Sequence, residues 1–252
     1  MSDAARRIAP LRMAMWSGPR NLSTALMYAF GNRGDCACWD EPFYACYLAQ
    51  SGIDHPLRDE VIAAGEPAFD RVVASCLGPV PGGKPLFYQK HMTHHMLPEL
   101  DRSFAYDLTN AFLIRSPERV LASYARKREN ATLRDIGFVE QCEIFDMVAD
   151  RLGAAPPVVD ADDLLANPRR TLARLCADLG IGFSEAMLSW PAGPRSYDGV
   201  WARHWYGAVH RSTGFADPPA DPPELPPDLR RLADAARPSY EHMRQFSLKP
   251  VT

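Results

Sequence analysis

Five short apolar runs, each separated from the next by helix-patterned chain, are what most narrows the fold open to this 252-residue sequence. The runs are 11–16 (LRMAMW), 36–39 (CACW), 86–91 (LFYQKH), 111–115 (AFLIR) and 156–161 (PPVVDA). Runs this short, with Gly, Pro or Asp at their ends, read as strands buried on both faces. Between them lie predicted helices. One covers Leu22–Phe30, and a short one follows the Asp40-Glu41-Pro42 turn. Another covers 58–77, with interruptions at Gly65 and Pro67. One lies around His94–Phe104, and one is opened by Ser116 as N-cap, Pro117 in the first turn and Glu118 behind it. The segment 135–152 sets Ile136, Val139, Cys142, Phe145, Val148 and Leu152 at core-facing spacing, and Arg169–Leu179 stops at Gly180. The alternation predicts βαβ units and an α/β protein of three layers, α/β/α, around a mostly parallel sheet of about five strands. Ligands of such sheets sit beyond the carboxyl ends of the strands.

Composition bounds the rest. Apolar residues make up 46% of the chain, enough for a sizeable core, and the formal net charge of −3 gives no reason to expect nucleic acid as a partner. An anionic ligand therefore needs a local basic pocket. No apolar stretch is long enough to cross a membrane, and the opening MSDAARRIAPLRMAMW does not read as a signal peptide. Both observations favour the cytoplasm. Cys36, Cys38, Cys46, Cys76, Cys142 and Cys176 have no paired metal-ligand spacing and read as small apolar residues in a reducing compartment. We read 1–252 as a single domain, with a proline-rich connector at 216–227 before a last helix at about 228–245. The oligomeric state is not legible.

The first strand runs into Ser17-Gly18-Pro19-Arg20-Asn21-Leu22-Ser23-Thr24, which opens a helix. A strand–loop–helix of this kind aims backbone N–H groups and the positive end of a helix dipole at one point. Arg20 adds a two-pronged cation, and Ser23 and Thr24 add hydroxyl donors. This is not a Walker A loop, because the Gly-Lys pair is missing. The alternative is an ordinary capped helix. The fourth run ends in Arg115, and Ser123 follows eight residues later, so an arginine at a strand end and a serine two helical turns on could clamp one phosphate from two sides.

Together these segments resemble the 3′-phosphoadenosine-5′-phosphosulfate (PAPS)-dependent sulfotransferases, which belong to the P-loop-like sulfotransferase superfamily. Pro19, Arg20, Asn21, Leu22, Ser23 and Thr24 are similar to that family's 5′-phosphosulfate loop. The departure is Leu22, where glycine is usual. Leucine offers its N–H from a helical conformation, but positive φ is strained for it. Arg115 and Ser123 stand at the separation of the family's 3′-phosphate motif. Asp162-Asp163-Leu164, Asn167-Pro168 and Leu179-Gly180 match its late strand and helix. Gly199-Val200-Trp201-Ala202-Arg203-His204-Trp205 resembles its late nucleotide-closing loop, which implies Trp201, with Arg195 or Arg203, beside the 3′-phosphate.

The resemblance implies transfer of a sulfuryl group from PAPS to a hydroxyl or amine of a small acceptor, leaving 3′-phosphoadenosine-5′-phosphate (PAP), with no metal required. Arg20 is then the cation on the leaving phosphate. The base is either Glu41, after the second strand, or a histidine after the third, His91 or its neighbours His94 and His95. Lys90 lies near the sulfuryl group. A structural reading of Asp40 and Glu41 is an N-capping pair. A family member that binds PAP without transfer, and a P-loop kinase or NTPase, are the competing functions.

Overall fold

A computed structural model describes residues 9–126, 131–218 and 221–249. Residues 1–8 of the opening segment and 219–220 of the proline-rich connector therefore lie outside the described residues. The order begins β1 (Leu11–Ser17), α1 (Ser23–Gly31), β2 (Cys36–Asp40), α2 (Tyr44–Ser51), α3 (Arg58–Ala64), α4 (Phe69–Leu77), β3 (Leu86–Met92) and β4 (Thr109–Ile114). It continues through α5 (Pro117–Tyr124), α6 (Leu133–Ile136), α7 (Phe138–Leu152), β5 (Val158–Asp160), α8 (Ala161–Ala166) and α9 (Pro168–Asp178). The short helices α10 (Ala202–Trp205) and α11 (Gly207–His210) precede the long α12 (Pro227–Arg244).

The five strands form one sheet in the order β2-β3-β1-β4-β5, and every pairing in it is parallel. Strand residues alternate between two cores, as the pleat requires. Ala14, Trp16, Phe112 and Ile114 pack with residues of α5, α7 and α12 on one face. Met13, Met15, Ala111 and Leu113 pack with α1, α8 and α9 on the other. Both faces are covered, which is why the runs are apolar throughout. The chain leaves β1 towards β2 and leaves β4 towards β5, so adjacent strands send their connections in opposite directions. The crevice between the carboxyl ends of β1 and β4 is thus the switch point at which such sheets bind ligands.

Three expectations need correction. The helix around His94–Phe104 is absent. Two single-turn 3₁₀ segments, Thr93–His95 and Ser103–Asp107, stand there instead. Pro98 restricts the residue before it, and Asp101 accepts from the Ser103 backbone N–H at 2.8 Å, a local turn that competes with a helix. The segment 135–152 is broken at Gly137 into α6 and α7. Gly137 has φ 66, and a Cβ there would lie 2.6 Å from Thr93 Oγ1, so only glycine fits. The buried stripe of α7 is Phe138, Gln141, Ile144, Phe145 and Val148, while Leu152 is 61% exposed. Finally, Ser116 occupies the N-cap position of α5 without a side-chain capping bond.

Candidate functional site

The β1–α1 loop is shaped by close approach. A Cβ on Gly18 would meet the Ile136 carbonyl oxygen at 2.5 Å. Asn21 is buried and its amide nitrogen donates to the Leu113 carbonyl at 3.2 Å, tying the loop to the end of β4. Arg20 and Leu22 both take left-handed backbone conformations, with φ 64 and 68. The sequence admits Leu22 in a helical conformation, but the structure puts it in the strained one. Leu22 is also the N-cap of α1 and contributes no side-chain cap, so its side chain satisfies none of the first-turn N–H groups.

Arg115 follows β4 directly, and its Nη1 donates to the Arg20 carbonyl oxygen at 3.0 Å. Arg20 Nε in turn donates to Ser123 Oγ on α5 at 2.9 Å. The two expected anion cradles therefore touch. Among the described residues neither arginine forms an ion pair with a carboxylate, and Arg115 Nε is buried without a hydrogen-bond partner. Burial disfavours the charge of both. For Arg20 the neighbouring Arg126 adds to that pressure, while at Arg115 the charge of Asp162 partly opposes it. Two half-buried guanidiniums side by side, neither in an ion pair among the described residues, are an arrangement that an anion relieves.

A cavity of about 300 Å³ joins these cradles to a second cluster, at the ends of β2 and β3. Lys90 on β3 is 1% exposed. Its Nζ donates to Asp40 Oδ1 and Glu41 Oε1, both at 2.8 Å, and to Thr24 Oγ1 at 3.2 Å, and it also bonds the Tyr206 hydroxyl. Tyr206 stands between α10 and α11, and its O–H reaches Asp40 Oδ2 at 2.7 Å. Glu41 has φ 43, a left-handed conformation rare outside glycine and common where a side chain is held for a task. Its carboxyl is raised above the usual carboxylate range, first by burial and then by Asp40, against the pull of Lys90. Asp40 and Glu41 do not cap α2, whose N-cap is Phe43.

Pro19, Arg20, Leu22, Ser23, Thr24, Glu41, Lys90, Arg115 and Ser123 all line the cavity, as do His94 and His95. Asn21 does not, because its side chain is turned to β4. His91 does not either, and this corrects its candidacy as a base. One residue after Lys90 on the same strand, it points to the opposite face, where Trp16 and Phe43 pack against its ring at 4.5 and 5.6 Å. Burial holds it neutral, pushing its pKa down to about 3. The late-loop residues are also elsewhere. Arg195 lies over the Tyr28 ring at 4.9 Å. Arg203 pairs with Glu60 on the surface. Trp201 is buried beneath the site, its indole N–H donating to the Tyr206 hydroxyl at 3.1 Å.

The cavity also gathers residues to which the sequence alone assigns no role: Tyr44, His55, Trp205 and above all Tyr206. Their one signal in the sequence is that 42–84 and 185–225, taken together, are rich in Trp, Tyr, Phe and Pro. His95 is 1% exposed and sandwiched between Tyr44 and Tyr47, with ring centroids 4.7 and 4.9 Å away. Neither of its nitrogens has a hydrogen-bond partner among the described residues, and Nε2 lies 3.9 Å from Glu41 Oε2. Burial holds His95 neutral as well. The three histidines assemble no metal-ligand set among the described residues. Cys142, Asp146 and His242 do bring ligand atoms within 4.8 Å of one another, but at the surface between α7 and α12.

The family model described as a sulfotransferase domain matches residues 11–247. Two Arabidopsis thaliana proteins named branched-chain-amino-acid aminotransferase-like protein 2 and 1 are each 38% identical, over 203 and 229 residues. Those matches cover 81% and 91% of this chain but only 36% and 41% of the relatives, so the chain spans about two-fifths of their length. Among solved structures, a sulfotransferase from Alicyclobacillus acidocaldarius superposes with a TM-score of 0.58 at 12% identity, covering 96% of this chain and 98% of its own, a likeness of fold.

Proposed function

This chain belongs to the sulfotransferase domain family, and from that premise we propose that it moves a sulfuryl group from PAPS to a hydroxyl or amine of a small acceptor. The observation that carries the reading is the pair of arginines in one cavity, Arg115 bonded to the Arg20 carbonyl and Arg20 to Ser123, neither with a carboxylate partner among the described residues. A nucleotide with a phosphate at each end of its ribose supplies the missing charges at both cradles. In this reading Arg115 and Ser123 hold the 3′-phosphate. The first-turn N–H groups of α1, with Ser23 and Thr24, hold the 5′-phosphate, and Arg20 turns from Ser123 towards the charge that grows there.

The transfer is an in-line displacement. The acceptor oxygen or nitrogen bonds to sulfur, the bond from sulfur to the 5′-phosphate oxygen breaks, and PAP leaves. The acceptor proton passes to Glu41, whose raised carboxyl pKa suits a base better than an ordinary glutamate. Lys90, beside Glu41, supplies positive charge near the sulfur. A second reading makes His95 the base. It lines the cavity, is neutral, and has both nitrogens without partners among the described residues.

Calorimetric titration with PAP tests the nucleotide site. Arg115→Ala is expected to weaken binding at least about tenfold, the effect of losing one charged hydrogen bond. Affinity equal to wild type would overturn the 3′-phosphate assignment. With a panel of alcohol and amine acceptors, Glu41→Gln is expected to abolish PAP release from PAPS and to leave PAP affinity unchanged. Undiminished turnover would move the base to His95. PAP binding by wild type with no transfer to any acceptor would favour a binding protein, and tighter binding of ATP with Mg²⁺ than of PAP would favour a kinase.

A further inference from the structure

Two carboxylates stand side by side in this site, and the donors around them are shared unequally. Lys90 has three N–H bonds, yet four oxygens surround its Nζ: Thr24 Oγ1, Asp40 Oδ1, Glu41 Oε1 and the Tyr206 hydroxyl. The Tyr206 hydroxyl accepts from the Trp201 indole at 3.1 Å, and it has one proton to give. Asp40 is its nearest acceptor, at 2.7 and 2.9 Å, against 3.2 Å for Glu41 Oε1. Asp40 Oδ2 also accepts the Gly199 backbone N–H at 3.3 Å. Asp40 thus draws on a lysine, a tyrosine and a backbone amide. Glu41 draws only on Lys90 and, at the longer 3.2 Å, on the Tyr206 hydroxyl, both through Oε1, and its Oε2 is turned towards His95 at 3.9 Å.

Charge points the same way. Two carboxylates and one ammonium leave one negative charge in excess, in a place where Glu41 is 11% exposed and the other two are 1%. Uptake of one proton cancels the excess. The groups facing Glu41 are Asp40 from β2, Lys90 from β3, His95 from the turn after β3, Tyr44 from α2 and Tyr206 from the segment after Trp201. Asp40 is the other carboxylate of the cluster, and both its oxygens already accept hydrogen bonds, from Lys90, Tyr206 and the Gly199 N–H.

We propose that Asp40 and Tyr206 are positioning residues that divide the work of the two carboxylates. Asp40 serves as the post to which Lys90 and the 199–206 segment are tied, and Glu41 is left as the group that accepts a proton. The inference rests on the sulfotransferase reading for the source of that proton, but the division itself is a property of the folded chain. Burial and the Asp40 charge push the Glu41 carboxyl up, and the bonds from Lys90 and Tyr206 hold it back. Removing the Tyr206 hydroxyl therefore raises the Glu41 pKa, and removing the Asp40 charge lowers it.

The experiment is a carbon-13 NMR titration of the Glu41 side-chain carboxyl, identified by its loss in Glu41→Gln. It is run on the wild type, Tyr206→Phe and Asp40→Asn. The midpoint is expected to rise in Tyr206→Phe and to fall in Asp40→Asn, each by more than about half a pH unit. Midpoints that stay put, or move in the same direction, overturn the proposal, since a purely structural role predicts no opposed shifts. Should Asp40→Asn not fold, Tyr206→Phe alone decides, because it deletes one oxygen and keeps the ring in its apolar cluster with Tyr44, Trp201 and Ala202. PAP titration of the same samples separates the two claims. A protein that fails to bind PAP sinks the sulfotransferase reading and leaves the carboxylate result standing.

Discussion

Leu22 is an apolar, half-buried residue in the backbone conformation that suits leucine least. Its φ of 68 costs a non-glycine residue about 1–2 kcal/mol, which the surrounding contacts must offset. Its side chain packs into the α1 core and also lines the cavity, so the strain is kept where a loop must present its amides. A clean measure compares two truncations. Leu22→Ala and Leu22→Gly lose the same packing to within a methyl group, but only glycine is released from the strain. Leu22→Gly is expected to be the more stable by about 1 kcal/mol in urea unfolding, reversing the ordinary ranking of the two. Alanine at or above glycine would count against the left-handed loop. Residue types and spacing made the loop, Arg115 and Ser123 legible in the sequence, because the chemistry they share is local. The partners of Lys90 were not legible. Thr24, Asp40 and Tyr206 are 66, 50 and 116 residues away from it, and only the folded sheet brings them together.

At the scale of elements, the break between α6 and α7 shows what single-sequence periodicity cannot see. The apolar spacing from Ile136 onward is continuous, yet Gly137 turns the chain so that its carbonyl oxygen accepts from Thr93 Oγ1 at 2.9 Å. That bond locks the histidine-bearing turn after β3 to the start of α7. Gly137→Ala combines positive φ with the 2.6 Å clash against Thr93 Oγ1 and is expected to cost about 3 kcal/mol. Gly153→Ala, at the other end of α7, has a similar φ of 67 but open space around it, and should cost only about 1 kcal/mol. Equal losses in urea unfolding would show that the close approach contributes nothing. The missing helix at 94–104 has a related explanation. Its residues are tolerable helix formers, but Pro98 and the Asp101 turn offer the backbone other bonds.

Over the whole molecule, the sheet and its two cores are what the alternating apolar runs dictate, and the structure departs from that reading mainly where the chain leaves the sheet. The buried histidines give the entire fold a pH signature. A His91 held neutral to about pH 3 binds fewer protons folded than unfolded throughout the range between there and its ordinary 6.5. Stability therefore falls as pH drops through that window. Between pH 7 and pH 5 the His91 contribution to the loss is about 2 kcal/mol, and His95 acts in the same sense. Urea unfolding of wild type and His91→Gln at both pH values checks this, and the variant should lose less on acidification. A variant that loses as much as wild type would show that the protonation lies elsewhere.

A single peptide unit on β3 separates the ammonium of the cavity from the imidazole of the interior, so odd and even positions of that strand belong to different trades. Deleting or inserting one residue between Leu86 and Gln89 would leave the hydrophobic lining nearly as greasy as before, yet it would carry the imidazole to the mouth and bury the ammonium among aromatic rings. A one-residue shift along this strand therefore disrupts far more than the same change in a surface loop.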